Sequence, residues 1–62
     1  MRAAREIERR IAAGTLAPGD KIHIGLLAEE TGIYRAAISR ALDELAGRGL
    51  VVRYPGLGWY VA

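Results

Sequence analysis

The chain has no cysteine, no phenylalanine, one histidine, one tryptophan and two prolines among its 62 residues. Without cysteine, neither a disulfide nor a thiolate metal site can supplement the core. The lone histidine, His23, has no partner for a metal site or a catalytic triad, so no metal and no cofactor are expected. No nucleophile–base pair or phosphate loop can be assembled either, which leaves an enzyme without support. No apolar run is long enough to span a bilayer and no signal-peptide profile is visible, so a cytoplasmic protein with no membrane partner is expected. Charge of one sign is also scarce: the formal net charge is +2, well short of a histone-like tail. Many of the apolar residues are alanines, which let helices pack closely but bury little area each. A length of 62 residues holds one domain, near the lower limit for a stable single core.

What is present is periodic. Ala4, Ile7 and Ile11 form the apolar stripe of a first helix over Arg2–Ala13, with Glu6 placed to pair Arg10 on its surface. Gly14 closes that helix, and Pro18-Gly19-Asp20 is a strong turn signal. Lys21 to Ile24 alternates weakly, as a short edge strand does, and Gly25 separates it from a second helix over Leu26–Thr31, with Leu27 and Ala28 inward. Gly32 suits the left-handed backbone of a tight interhelical turn. A third helix, Arg35–Ala46, buries Ile38, Ala41, Leu42 and Leu45, spaced three and four apart. Leu50–Tyr54 is β-rich, Pro55–Gly58 is a tight loop and Trp59–Val61 returns. Three helices followed by a hairpin predict a small α+β domain over residues 1–62, a winged helix-turn-helix with a C-terminal β-hairpin wing. Its expected core is Ile7, Ile11, Leu27, Ile38, Leu42, Leu45 and Val51.

The third helix also carries the functional signal. Opposite its buried stripe stand Ala36, Ala37, Ser39 and Arg40, small residues around a long cation. That composition suits a helix in the major groove, where backbone must approach base edges and a guanidinium can reach guanine or phosphate. Eight of the nine cations are arginine, whose planar fork fits both targets. Double-stranded DNA is therefore the expected partner. Arg35 is placed for phosphate or guanine, while Arg2, Arg5 and Arg48 read as solvated helix faces. Arg40 either reads the groove or pairs with Glu44; Tyr34 either stacks on the sugar–phosphate backbone or covers the core. Arg53 stands where it can enter a narrow minor groove. Of Trp59 and Tyr60, at least one must face inward, and His23 reads as a plain strand-end residue. Leu57 at the wing tip either packs on sugar edges or meets another protein, so a protein-interaction wing built from Tyr54, Leu57 and Trp59 is the rival reading.

Ile11-Ala12-Ala13-Gly14-Thr15-Leu16-Ala17-Pro18-Gly19, Leu27-Ala28, Gly32-Ile33, Arg35, Ala41-Leu42, Leu45, Gly49-Leu50-Val51, Arg53, Gly56, Gly58, Tyr60 and Val61 follow one another at a recognisable spacing. In this ordered set the chain resembles the winged-helix DNA-binding domain of GntR-type bacterial transcription regulators over nearly its whole length. Relatives in that family place the third helix in the major groove and the wing in the minor groove. The resemblance thus implies DNA contacts from Tyr34, Arg35, Ala36, Ala37, Ser39 and Arg40, and from Arg53, Gly56, Leu57 and Gly58. It also implies a homodimer on a two-fold operator, since one helix and one wing cover too few base pairs to select a site in a genome. The departures fall in the DNA-contacting parts. A Pro-Ser-Glu-Arg run common at the start of the second helix is replaced by Ile22-His23-Ile24-Gly25. Tyr34 stands for a serine, Ala37 and Ser39 for a threonine and an arginine, and Tyr54 for a second wing arginine.

Overall fold

Three helices and three short strands follow the hydrophobic periodicity closely. The structure is a computed structural model that describes residues 2–62. Helix α1 (Arg2–Ala13) is followed by strand β1 (Lys21–Ile22), helix α2 (Ile24–Thr31), helix α3 (Arg35–Gly47) and strands β2 (Val51–Tyr54) and β3 (Gly58–Val61). The sheet is antiparallel in the order β1-β3-β2, with Ile22 opposite Trp59, and Arg53 opposite Trp59 from the other side. The architecture is the expected small α+β winged helix.

The core lies where α1, α2 and the sheet meet α3. Ile7, Ile38, Leu42 and Leu45 are its largest fully buried side chains, joined by Leu27, Val51, Ile22 and Val61. Ala3, Ala4 and Ala41 are buried as well, the close helix approach that an alanine-rich chain permits. Ile11, expected in the core, is only partly buried and packs against its edge. It comes in the last turn of α1, past the buried residues Ala3, Ala4 and Ile7, so its stripe position is apolar without being enclosed.

The connection between α2 and α3 is held by backbone capping. Gly32 adopts φ 72° and its N–H donates to the Ala28 carbonyl at 2.9 Å, the left-handed stop expected there. The Thr31 hydroxyl donates to the Leu27 carbonyl at 2.6 Å and accepts from the Ile33 N–H at 3.2 Å. Arg2 reaches across from α1 and donates to the Thr31 carbonyl at 2.9 Å. Carbonyls that a helix end leaves without partners are satisfied in this way.

Two details depart from the sequence reading. The strand expected over Lys21–Ile24 ends at Ile22, and α2 begins at Ile24, so Gly25 lies within its first turn. His23, not Gly25, is the boundary residue, with extended backbone and no side-chain cap. Glycine is a weak helix former, which is why its sequence position suggested a break.

Candidate nucleic-acid interface

Helix α3 presents two faces. Ile38, Ala41, Leu42 and Leu45 are buried, whereas Ala36 and Arg40 are exposed and Ala37 and Ser39 half-buried on the side turned away from the core. Tyr34, with extended backbone, accepts the Ala37 and Ile38 N–H groups at its carbonyl, at 3.0 and 3.1 Å, and its side chain provides no cap. That side chain is 86% exposed, so it does not cover the core. Arg35 follows at the first position of α3, and its guanidinium lies back over Gly25 of α2. Asp43 is a further exposed residue beside Arg40 that the sequence reading did not weigh.

The wing carries the second set of residues. In β3, Trp59 and Val61 face the core, and Trp59 packs against it, which satisfies the requirement that one aromatic turn inward. Arg53 sits opposite Trp59 and so shares the helix-facing side of the sheet, beyond the enclosed core. On the other side Tyr54 and Tyr60 meet edge to face at 5.5 Å. Gly56 and Gly58 take φ values of 79° and 109°, which a side-chain-bearing residue would adopt only with strain. Leu57 donates its N–H to the Tyr54 carbonyl at 2.9 Å and leaves its side chain 63% exposed at the tip. Lys21 lies across the wing base, its Cε 3.5 Å from where a Cβ on Gly58 would stand. An open groove of about 610 Å³ separates the first turn of α2 from the wing, with Gly25, Leu26, His23 and Trp59 in its walls.

Charge pairing divides the arginines. Arg9 and Arg10 flank Glu6 at 3.6 and 3.3 Å, and Arg10 also approaches Glu30 at 3.7 Å. Arg48 donates to Glu8 at 2.7 Å and lies 3.7 Å from Glu44. The hydrogen bond from Arg48 holds the Glu8 carboxyl below its ordinary range, and the same bond raises the Arg48 guanidinium. Glu44 therefore faces Arg48, and the alternative Arg40–Glu44 pair is not formed. Among the described residues Arg5 on α1 and Arg35, Arg40 and Arg53 on α3 and the wing have no ion pair and no side-chain hydrogen bond. Lys21 is likewise unpaired; its place beside the wing is not legible in a one-dimensional pattern.

A chain in the crystal structure of mutant ORR3 in complex with the NTD of AraR has the same fold, at a TM-score of 0.84 and 31% identity, covering 98% of this chain and 89% of that one. No curated protein sequence matches this chain significantly. The family model described as bacterial regulatory proteins, gntR family, matches residues 1–61. The chain belongs to the GntR family, and its function is DNA binding in the regulation of transcription.

Proposed function

We propose that this domain reads duplex DNA with α3 in the major groove and the β2–β3 hairpin in the adjacent minor groove. The observation that carries this reading is that Arg35, Arg40 and Arg53, the arginines within α3 and the wing, are all unpaired among the described residues, while Arg10 and Arg48 are neutralised within the protein. Ala36, Ala37 and Ser39 let the α3 backbone approach base edges, and Arg40 is the side chain long enough to contact them. Tyr34, exposed at the start of α3, stacks against the sugar–phosphate backbone. Arg53 enters the minor groove, with Gly56, Leu57 and Gly58 keeping the tip narrow and Leu57 against sugar edges.

Two copies on a two-fold operator in the bacterial cytoplasm form the working unit of this reading, because a single copy spans too little sequence for selectivity. Selection from a random duplex pool, followed by sequencing of the bound fraction, tests it. The expected product is a two-fold symmetric site; single asymmetric half-sites bound by one copy overturn the dimer. The exposed wing tip, with Leu57 at 63% and Tyr54 at 49% exposure, favours one second reading, a protein-docking wing. Failure to enrich any duplex, together with capture of a protein partner that Leu57→Ser abolishes, would replace DNA reading with that alternative.

A further inference from the structure

We propose that Gly25 is a positioning residue for DNA binding: by lacking a side chain it lets Arg35 fold back across α2, which commits Arg35 to the DNA backbone and leaves base reading to Arg40. The inference rests on the groove-docking reading above. A Cβ placed on Gly25 would stand 2.9 Å from Nη2 of Arg35, 3.4 Å from Cζ and 3.7 Å from Nη1. The head of the arginine thus occupies the space that any other residue at position 25 would fill. Nothing in the backbone demands glycine there. Gly25 is helical and is not among the positive-φ glycines, and alanine would favour the helix more. What glycine supplies at this position is room.

The place where the guanidinium lies decides what it meets. In a helix-turn-helix the first helix crosses the DNA backbone while the second enters the groove. A guanidinium resting on the first turn of α2 is therefore aligned with phosphates rather than with the base edges beneath α3. Nothing in the protein neutralises it: the first turn of α2 contains no acidic residue, and Arg35 pairs with no carboxylate among the described residues. A phosphodiester oxygen provides the missing negative charge. Arg40 remains exposed on α3, so the base-contacting role falls to it.

Gly25→Ala, Arg35→Ala and the double variant of the 62-residue chain separate these roles. Each is titrated against a duplex selected from a random pool and against its scrambled counterpart, at several salt concentrations, and each is melted. Gly25→Ala should melt at or above the wild-type temperature, because the added methyl displaces only the far end of a flexible side chain. It should nevertheless weaken both duplexes alike, by roughly ten- to a hundredfold, the size of one charge-assisted contact. Its salt slope should fall by roughly one unit. Arg35→Ala should do the same, and the double variant should bind no more weakly than Arg35→Ala. Unchanged affinity of Gly25→Ala overturns the proposal, as does a loss for Arg35→Ala confined to the selected duplex. Additive losses in the double variant also overturn it, since they would place the added methyl itself against DNA. If the wild-type chain shifts neither duplex, the groove-docking reading fails first and this inference with it.

Discussion

Arg10 and Arg48, which link α1 to its neighbours, and Arg35, Arg40 and Arg53, on α3 and the wing, share one chemistry and differ in their surroundings. Arg10 lies between Glu6 and Glu30, and Arg48 between Glu8 and Glu44, so these side chains tie α1 to α2 and to the end of α3. Arg35, Arg40 and Arg53 form no ion pair among the described residues. A surface arginine with a carboxylate beside it gains little by leaving for another anion, whereas one without a partner can neutralise a phosphate and release the counterions condensed on the DNA. The small net charge of +2 therefore does not tell which cations are available to a partner, because it counts paired and unpaired arginines alike.

The largest expected effect removes the floor that both regions share. Leu42 is fully buried under the exposed face of α3, and Leu42→Ala should cost roughly 2–5 kcal/mol, the usual range for emptying a buried leucine. In a domain this small that is comparable with the whole stability, of about 5 kcal/mol. A thermal melt should show most of the population unfolded, with the binding surface lost alongside the α1 ion pairs. A melt within about two degrees of wild type would remove Leu42 from the core.

The comparison between the two sets of arginines is sharpened by truncating one member of each. Arg40→Ala should lower affinity for the selected site by about 1–3 kcal/mol and relax preference at one base position, with an unchanged melt. Arg48→Ala should do the reverse, lowering the melting temperature while leaving the titration as it was. Equal effects of both variants on binding would erase the distinction drawn here. Arg53→Ala comes next: it should weaken selected and scrambled duplexes together and reduce the salt slope by roughly one unit.

The smallest effect is a pH dependence. The hydrogen bond from Arg48 holds the Glu8 carboxyl below its ordinary range in the folded state. The pair therefore stabilises the fold at pH values above the carboxylate range of an unfolded chain, and that contribution disappears as pH falls through the depressed folded value. Both groups are at the surface, so the effect should be slight. Melting curves taken from pH 7 into the acid range, at roughly one-unit steps around the ordinary Glu value of about 4, should fall less for Glu8→Gln than for wild type. Parallel profiles for the two proteins would show that the pair contributes nothing to acid sensitivity.

Much of the architecture was legible in the chain. Spacing alone identified Ile38, Ala41, Leu42 and Leu45 as one face, and Gly32 as the stop before α3, because burial on a helix and the freedom of glycine are local properties. The wing followed from β-rich segments around Pro55-Gly56-Leu57-Gly58. The start of α2 was misplaced because Gly25 disfavours a helix in isolation, and only packing beneath Arg35 gives a glycine a use there. The Arg40–Glu44 alternative had the right helical spacing, but so did Glu44 with Arg48, and sequence spacing cannot choose between them.

The sequence by itself determined the order of elements, the core face of each helix and the small residues that line the exposed side of α3, since these follow from periodicity over a few residues. Only the tertiary structure decided which arginines remain free. Glu8 and Arg48 are 40 positions apart and meet because α1 packs on α3; Gly25 and Arg35 meet because the turn at Gly32 brings α2 and α3 together. Electrostatic pairing depends on distance in space, and in a chain this short the fold sets that distance between residues that no local pattern connects.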